Sequence, residues 1–419
     1  MARVVLTCWG SYGDLFPSLG VALELKARGH VPVVATCPFY RGLVEGEGVE
    51  FRPLRPDVDP QNAALLEQVM DPRRGSEVVI KDLIVPHLAD AYADVDAAAR
   101  GADLVLSHPV TFATPILCVE RGLPWLSTVL SPASFFSVYD FPALPPYAWL
   151  SGVTRRSRMA ARAFLSLAKS ITGTWTAPVR AFRAARGLPP AGDPLYDGQF
   201  SPMGTIALFS RVMAQPEPDW PPNARVTGFP FFNRAIPMSD RLGDFLDRGE
   251  PPIVFTLGTS AVGAPGGFYQ ESVKAAAALG RRAVLLVGKY APALSQAGVP
   301  GGMLVEDLAP HDALFPRAAA IVHHGGVGTT GQALRSGRPM LVVPHAHDQP
   351  DNAARASRLG VARSLDAGRY TADRAAAHLR RLLEQPSYDE RAAAVGKIVR
   401  SEDGARAACD AIDQLISSR

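Results

Sequence analysis

The sequence predicts two α/β domains, each built around a parallel β-sheet that helices cover on both faces. Short apolar runs alternate with longer helical patterns along the whole 419-residue chain, which is the pattern of repeated β–α–β units. The chain is also longer than a single hydrophobic core usually supports. A segment rich in proline and polar residues, at 214–223, interrupts the pattern near its middle.

The predicted strands are continuous apolar runs, as expected for strands that are buried on both faces. In the first domain they are Arg3–Thr7, Val31–Ala35, Asp103–Ser107 and Trp125–Val129. The first helix is predicted from Pro17 to Arg28, and Gly29 ends it. In the second domain the predicted strands are Ile253–Thr256, Ala283–Val287, Met303–Val305, Ala319–His323 and Met340–Val343.

Domain boundaries follow from the same pattern. Residues 1–213 are predicted to form the first domain and residues 226–387 the second. Residues 214–225 are predicted to be a linker, since proline fixes φ and lacks an N–H donor. The final stretch, 388–419, is long enough to return as helices towards the first domain. Because open α/β sheets bind ligands at the carboxyl ends of their strands, we expect functional loops there, facing a shared cleft.

Composition narrows the class of protein. Lys and Arg number 43 and Asp and Glu 40, and this net charge of +3 gives no support for a nucleic-acid partner. Four cysteines stand far apart without a zinc-binding spacing, which indicates free thiols in a reducing compartment. No apolar run approaches the ~18 residues of a membrane span. We therefore expect a cytoplasmic monomer or homodimer.

A glycine-rich segment at residues 321–334 is the strongest local signal of function. A predicted strand ends at His323 and His324, a glycine-rich turn follows, and a helix is predicted to begin near Thr329, with Thr329 as its cap. Glycines let the backbone approach a ligand, and the N–H groups and dipole of the helix favour a pyrophosphate. A histidine at the strand end adds a hydrogen bond, and positive charge when protonated.

The same segment permits another interpretation. Residues 326–331 match the glycine pattern of dinucleotide-binding folds, and Asp348 follows about 20 residues later, as that fingerprint requires. Against it, the motif lies deep in the second domain, two histidines occupy the strand end, and Asp348 lies beyond Pro344 in a polar loop. If this segment binds a dinucleotide, the protein is a nicotinamide-dependent oxidoreductase. If it binds no ligand, the glycines only turn the chain.

A second polar loop, residues 344–352, also follows a predicted strand. Asp348 and Gln349 together offer carboxylate acceptors and an amide, which suit the vicinal hydroxyls of a hexose. The alternative is a capping turn before a helix. His345 and His347 are spaced as metal ligands can be, but the sequence places no third ligand beside them. We therefore expect no metal and no resident cofactor.

Asp14 lies in the loop between the first strand and the first helix. It is a candidate general base that takes a proton from an acceptor hydroxyl, and the structural alternative is a helix cap. His108 follows another strand of the first domain and is expected at the same edge of the sheet.

At these residues the sequence resembles the family-1 glycosyltransferases over essentially its whole length. The matching elements are Gly10–Asp14 with Pro17, Phe255–Thr259, Ala309–His311, and His324–Thr330 with Pro344–Gln349. The resemblance implies the GT-B architecture, in which two Rossmann-like domains face a central cleft. It also implies an inverting hexosyltransferase that uses a nucleotide diphosphate sugar, either UDP-glucose-like or a dTDP-sugar, and a small hydrophobic acceptor such as a natural product, sterol or lipid.

The resemblance also assigns roles to residues. His324 meets the diphosphate, Leu308 and His311 frame the base and ribose, and Asp348 and Gln349 hold the sugar hydroxyls. The full implied donor set is Ser11, Gly13, Thr259, Ser260, Leu308, His311, His324, Gly326, Val327, Gly328, Thr329, Gln332, Asp348 and Gln349.

On the acceptor side, Asp14 falls where bacterial members of the family carry a proposed catalytic aspartate. His108 falls near the aspartate that supports the histidine base of plant members, so we hypothesise a reversed Asp14–His108 pair. A closer likeness, to the bacterial rhamnosyltransferases of rhamnolipid synthesis, leaves a rhamnosyltransferase acting on a hydroxy fatty acid as an alternative. A non-catalytic protein that binds a sugar nucleotide is a further one.

Aromatic residues interleaved with prolines follow a strand of the first domain and form a candidate acceptor wall. The candidates are Phe135, Phe136, Tyr139 and Phe141, and the alternative is a loop packed on its own domain. A basic stretch, 154–162, follows. It is either a solvated helix face or a peripheral contact with anionic lipid.

Overall fold

The computed structural model describes residues 1–60, 62–145, 147–232, 236–258, 261–262, 265–288, 294 and 298–417. The chain forms two compact units. The first unit comprises Met1–Val69, Arg73–Phe232 and Glu402–Arg419, and the second comprises Met70–Pro72 and Asn233–Ser401.

A seven-stranded parallel sheet forms the centre of the first unit. Its strands lie in the order β3-β2-β1-β4-β5-β6-β7. They are β1 (Arg3–Thr7), β2 (Val31–Thr36), β3 (Glu50–Pro53), β4 (Leu104–Ser107), β5 (Trp125–Val129), β6 (Thr205–Ala207) and β7 (Ala224–Val226).

A six-stranded parallel sheet forms the centre of the second unit, in the order β10-β9-β8-β11-β12-β13. Its strands are β8 (Ile253–Thr256), β9 (Ala283–Leu286), β10 (Met303–Glu306), β11 (Ala320–His323), β12 (Met340–Val342) and β13 (Ala362–Ser364). The described chain thus confirms the predicted fold class of two parallel-sheet α/β units, and each predicted strand is present to within one residue at either end.

Helices connect the strands in both units. The α-helices of the described residues are α1 (Tyr12–Ala27), α2 (Arg41–Gly46), α3 (Ala63–Val69), α4 (Gly75–Glu77), α5 (Leu88–Ala98), α6 (Ala113–Arg121), α7 (Ser151–Thr154), α8 (Arg158–Thr172), α9 (Ala177–Ala185), α10 (Asp240–Asp247), α11 (Phe268–Ala278), α12 (His311–Leu314), α13 (Val327–Ser336), α14 (Gln349–Arg358), α15 (Ala372–Glu384), α16 (Pro386–Ser401) and α17 (Gly404–Ser417). A π-helical segment, Val78–Ile84, and short 3₁₀ turns complete the chain.

The strand order fixes where each sheet can bind a ligand. In each sheet the chain adds strands on one side of the first strand, and then crosses to add the rest on the other side. The loops after the two central strands therefore lead away in opposite directions, which opens a crevice at the carboxyl end of the sheet. The central pairs are β1 with β4 and β8 with β11.

The proline-rich segment 214–225 differs from the predicted linker. Ala224 and Arg225 begin β7, which pairs with β6 in the first sheet, and the first unit continues to Phe232. Trp220 stacks on Phe135 with ring centroids 3.8 Å apart, and this aromatic contact fixes the segment to the first unit. Composition revealed its irregular backbone but not this long-range packing.

The C-terminal helices divide between the units. α16 packs on α13 and α15 in the second unit, so only α17 belongs to the first. α17 lies against α1, where Arg28 bonds to Asp410 and Asp413 at 2.7 and 2.8 Å. The return predicted for residues 388–419 is thus made by the last of these helices alone.

Candidate active site

The strand order brings Asp14 and His108 together in the first unit. Asp14 follows β1 and His108 follows β4, so both lie at the crevice between the two central strands. The Nε2 atom of His108 is 3.3 Å from Oδ1 of Asp14. The side chain of Asp14 is 30% exposed and that of His108 only 7%. The geometry therefore has the contact that the hypothesis of an Asp14–His108 pair requires.

Asp14 also caps α1, which begins at Tyr12 rather than at the predicted Pro17. The backbone N–H and the hydroxyl of Ser11 donate to Oδ2 of Asp14 at 2.7 and 3.1 Å. The hydroxyl of Ser11 in turn accepts from the N–H of Gly13 at 3.1 Å, which completes a capping box. The two carboxylate oxygens of Asp14 thus have separate partners, and the capping and catalytic interpretations are compatible.

Gly10 is required at this turn. Its φ is +142°, and a β-carbon there would lie 2.2 Å from Oδ2 of Asp14. Only glycine permits this backbone conformation so close to the carboxylate.

His108 is placed to support Asp14 rather than to replace it. Its Nδ1 atom is buried and has no hydrogen-bond partner within the described ranges. When Nε2 carries the proton it can donate a hydrogen bond to Oδ1 of Asp14. Asp14 is the more exposed side chain of the two.

A cavity of about 250 Å³ lies beside His108 within the first unit. Its walls are mainly apolar, and they come from the end of β4 and the segment after it, from α6 and α9, and from the segment 188–199. The lining includes Phe112, Ile116, Val179, Ala184 and Leu188. Such a cavity suits an apolar part of a small molecule.

Aromatic rings that the sequence analysis missed surround the other side of the Asp14 loop. The ring centroids of Tyr12 and Tyr40 are 5.0 Å apart, and Phe39 lies 6.4 Å from Tyr12. The hydroxyl of Tyr40 donates to the carbonyl of Gly10 at 3.0 Å. The signal was available, since these rings follow β1 and β2, which are neighbours in the sheet.

The predicted acceptor wall is largely internal packing. Phe135 is 6% exposed and stacks on Trp220, and Phe141 is 2% exposed and packs against Phe164. Phe136 contacts Tyr196 with ring centroids 4.6 Å apart. Tyr139, beneath the guanidinium of Arg158, is the one exposed member of the predicted four. The structure thus supports the alternative of a loop packed on its own unit for Phe135 and Phe141.

In the second unit, His324 lies where β8 and β11 diverge. It is 3% exposed. Its ring is closely surrounded by glycine backbone, because a β-carbon on Gly258 would lie 2.5 Å from its Cε1 atom and one on Gly326 would lie 2.4 Å from its Nε2. Gly325, with φ of +91°, makes the turn between His324 and Gly326. The glycines therefore hold the imidazole in one position.

Burial lowers the pKa of the histidines around this loop. The pKa of His311 falls to about 4 and that of His323 to about 3. The pKa of His324 lies well below its ordinary 6.5, with repulsion from neighbouring histidines adding to burial. At neutral pH His324 is uncharged, so it can offer a hydrogen bond but not the positive charge considered from the sequence.

The helix after the loop begins two residues before the predicted start. Gly326 is the N-cap of α13, and Val327, Gly328 and Thr329 form its first turn. Thr329 is therefore inside the helix and is not its cap. The first N–H groups of a helix have no intrahelical partner, and they carry the positive end of its dipole. The start of this helix is thus the place where the sequence predicted an anion site, and Gln332 lies in the following turn.

The loop after β12 places Asp348 and Gln349 differently. The carboxylate of Asp348 accepts from Nδ2 of Asn352 at 2.8 Å, and Asn352 also donates to the carbonyl of Gly325 at 2.9 Å. Gln349 is 3% exposed, and its Oε1 accepts from the N–H groups of His345 and Ala346 at 2.8 and 3.2 Å. The side-chain carbonyl of Gln349 therefore holds its own loop, while Asp348 is connected through Asn352 to Gly325 in the glycine-rich segment.

The remaining predicted donor residues are distributed unevenly. Leu308, after β10, is 57% exposed. His311 stacks on Phe315 with ring centroids 4.3 Å apart. Thr259 and Ser260 lie outside the described residues.

The remaining features bear on metal, thiol and membrane sites. Within the described ranges, no group of three or more His, Cys, Asp or Glu side chains is arranged to hold a metal ion. The four cysteines are buried and free. No helix in the part of the chain that the structure describes is both long and apolar enough to cross a bilayer.

Sequence comparisons identify the class of protein. The family model described as erythromycin biosynthesis protein CIII-like, C-terminal domain, matches residues 275–408. Over 100% of its length the chain is 34% identical to O-mycaminosyltylonolide 6-deoxyallosyltransferase of Streptomyces fradiae, of which 98% is covered. It is 29% identical to vancomycin aglycone glucosyltransferase of Amycolatopsis orientalis, with 97% of the chain and 96% of that relative covered.

Solved structures agree on the architecture. The glycosyltransferase of kitacinnamycin matches with a TM-score of 0.75 at 25% identity, over 99% of each chain. Glycosyltransferase VinC, solved in complex with dTDP, matches with a TM-score of 0.69 at 22% identity, over 100% of each chain. The chain therefore belongs to the family-1-like GT-B glycosyltransferases. It is a glycosyltransferase, and this replaces the oxidoreductase and non-catalytic alternatives.

The buried histidines predict a pH-dependent stability. A pKa that is lower in the folded than in the unfolded state means that the unfolded state binds more protons, so stability is lost as pH falls below 6.5 towards about 4. For His311 the loss between about pH 7.5 and about pH 5 is about 2 kcal/mol. We expect His311→Asn to reduce the pH dependence of the unfolding free energy, measured by urea denaturation, by this amount.

The matched control is His87→Asn, because His87 is an exposed histidine in the first unit. It should leave the pH dependence as in the unchanged protein. An equal pH dependence in the His311→Asn and unchanged proteins would contradict the lowered pKa of His311.

Proposed function

We propose that the enzyme transfers a hexosyl group from a nucleoside diphosphate sugar to a hydroxyl of a small hydrophobic natural product, with inversion at the anomeric carbon. The contact between Asp14 and His108 carries this proposal, because it puts a supported carboxylate at the ligand-binding crevice of the first sheet. The names of the relatives support the substrate class, since they describe sugar transfer to O-mycaminosyltylonolide and to vancomycin aglycone.

In the proposed reaction, Asp14 accepts the proton of the acceptor hydroxyl as that oxygen attacks the anomeric carbon. A carboxylate is a weak base towards an alcohol, so the proton moves late, as the bond to the diphosphate breaks. His108 donates to Oδ1 of Asp14 and holds the carboxylate in its orientation until then. Oδ2 of Asp14 remains bound to Ser11, which restricts rotation of the carboxylate.

We propose that the leaving diphosphate is stabilised by the start of α13. The N–H groups of Val327, Gly328 and Thr329 would carry its charge, together with a hydrogen bond from neutral His324. This arrangement needs no charged side chain and no metal ion. The first nucleotide to test is thymidine diphosphate, because VinC, which shares the fold, was solved with it.

The sugar is proposed to bind beside Asp348. Its carboxylate is held by Asn352, which also bonds to the backbone of Gly325, so the sugar and phosphate sites share one hydrogen-bond network. Both a glucosyl and a 6-deoxyhexosyl group present ring hydroxyls to such a carboxylate, and the relatives named above transfer one or the other. Leu308 is proposed to cover the base.

The acceptor is proposed to contact two apolar surfaces of the first unit. One is the set of rings at Tyr12, Phe39 and Tyr40, beside Asp14. The other is the cavity beside His108. We propose these two surfaces in place of Phe135 and Phe141, because both of those side chains are buried in their own unit.

Substitution of Asp14 tests the base. We expect Asp14→Asn to lower kcat about 10²- to 10⁴-fold, the usual contribution of a general base, with unchanged affinity for thymidine diphosphate. Asparagine retains an oxygen for the N–H of Ser11, so the unfolding temperature should change little. His108→Ala should lower kcat less, because the carboxylate loses the His108 contact but keeps its hydrogen bonds from Ser11.

Full transfer activity in both variants, with unchanged substrate binding, would contradict the proposal. The product's anomeric configuration, read by NMR, tests inversion separately. Parallel assays in EDTA test the metal-free mechanism, which requires that transfer persist.

The cavity beside His108 makes an independent prediction. Ala184 is on the exposed surface of α9 and lines the cavity, so Ala184→Trp should fill its mouth at little cost in stability. We expect the KM for the acceptor to rise about tenfold or more, the effect of losing roughly 1.4 kcal/mol of binding, with the KM for the donor unchanged. The neighbouring exposed Ala185 does not line the cavity, so Ala185→Trp is the matched control. Equal acceptor kinetics in the two variants would exclude the cavity from the acceptor site.

A further inference from the structure

An unusual concentration of exposed apolar side chains surrounds α8. Of the twelve large hydrophobic side chains that are exposed in the described part of the chain, seven lie between residues 139 and 171. The most exposed are Trp149 at 76%, just before α7, and Met159 at 81%, in the first turn of α8. Clustered exposed apolar groups of this kind mark interaction surfaces, whereas scattered ones do not.

These side chains are not needed to hold the helix in place. The inner face of α8 presents Ala161, Phe164 and Leu165, which pack with Val138 and Phe141 in a small core of their own. Met159, Leu167 and Ile171 lie on the outside, with exposed fractions of 81%, 61% and 52%. The inner face of α8 therefore packs on the fold, and the outer apolar face has no packing role within the unit.

The outer face is divided into two stripes. With about 100° between successive residues, Met159, Leu167 and Ile171 fall on one side of the exposed arc. Arg158 and Arg162 fall on the adjacent side. We use the name α8 surface for these two stripes together with three exposed residues that precede them in the chain. Those residues are Trp149, Val153 and Arg156. An apolar stripe beside a basic one is typical of helices that lie in the interface of a bilayer.

Charge is strongly segregated in this region. Residues 141–192 contain no Asp or Glu but seven Arg and one Lys, although the whole chain is nearly balanced. Lys169, Arg180 and Arg186 pair with carboxylates that lie outside this range. Within the described residues, Arg156, Arg158 and Arg162 form no ion pair, and Arg158 instead covers the ring of Tyr139. Their charge is thus available to an anionic partner.

We propose that the α8 surface binds the surface of an anionic phospholipid bilayer. Trp149, Met159 and Leu167 would enter the boundary between headgroups and acyl chains, while the arginines contact lipid phosphates. A second copy of the chain fits poorly, because a twofold contact would bring the same cations together without acids. The site is separate from the proposed transfer reaction and does not depend on it. Its consequence is to hold the enzyme where hydrophobic small molecules accumulate.

Flotation of the full-length protein with vesicles tests this proposal. We expect binding to phosphatidylcholine vesicles that contain about one third phosphatidylglycerol, weak binding to pure phosphatidylcholine, and a decrease at high salt. Met159→Gln/Leu167→Gln/Ile171→Gln should weaken partitioning about tenfold or more. Arg158→Gln/Arg162→Gln should weaken it about 25-fold, or fivefold for each arginine removed.

Matched controls lie elsewhere on the surface. Val119→Gln removes an exposed apolar side chain of α6, and Arg248→Gln removes an exposed cation of the second unit. Both should bind vesicles as the unchanged protein does. Circular dichroism and thermal unfolding establish that the variants are folded.

Three results would overturn the proposal. The first is no binding to either type of vesicle, and the second is equal binding to neutral and anionic vesicles. The third is a dimer in sedimentation that the triple variant converts to a monomer, since the α8 surface would then be an interface between copies. Loss of vesicle binding in the α8 variants alone, with transfer activity retained in solution, would support it.

Discussion

The crossing of the chain from one side of each sheet to the other is the constraint on which the candidate site depends. A parallel sheet needs a connection that returns to its starting edge, and helices supply it. Where successive connections leave in opposite directions, the backbone cannot close over the carboxyl ends of the two central strands. The first sheet has this opening between β1 and β4, and the second has it between β8 and β11. Asp14 and His108 follow the first pair, while Gly258 and His324 follow the second.

The two openings carry chemically different groups. In the first unit a partly exposed carboxylate is held by a helix cap on one oxygen and a histidine on the other. In the second unit, glycines bring backbone close to a buried imidazole that stays neutral. A neutral histidine and backbone N–H groups can receive a diphosphate without first separating an internal ion pair. The negative charge of Asp14 suits the acceptance of a proton, and the positive end of the α13 dipole suits the binding of an anion such as a diphosphate.

Strand positions and the placement of functional residues after strands could be predicted from the sequence, because buried parallel strands are continuous apolar runs. The Asp14–His108 contact could be anticipated once the two strands were expected at one edge. The start of α1 was missed because Pro17 resembles an N-terminal signal, whereas Ser11 and Asp14 form the cap. The start of α13 was also predicted too late. Thr329 is a residue type that commonly caps helices, but the N-cap of this helix is Gly326.

Other features depend on contacts between residues distant in sequence. The burial of Phe135 requires Trp220, which lies in a segment whose composition indicated a linker. The neutral state of His324 depends on its burial and on the histidines near it, and the position of the Gln349 side-chain carbonyl depends on the fold of its own loop. The outer face of α8 shows the opposite case. Its basic and apolar residues were visible in the sequence, but which of them are left exposed is visible only in the structure.

The proposed transfer requires the start of α13 to bind the diphosphate of the donor. A crystal structure of the protein with thymidine diphosphate tests it most directly. The predicted result has phosphate oxygens about 3 Å from the backbone N–H groups of residues 327–329, with His324 within hydrogen-bond distance. A nucleotide bound elsewhere, with the start of α13 unoccupied, would contradict it.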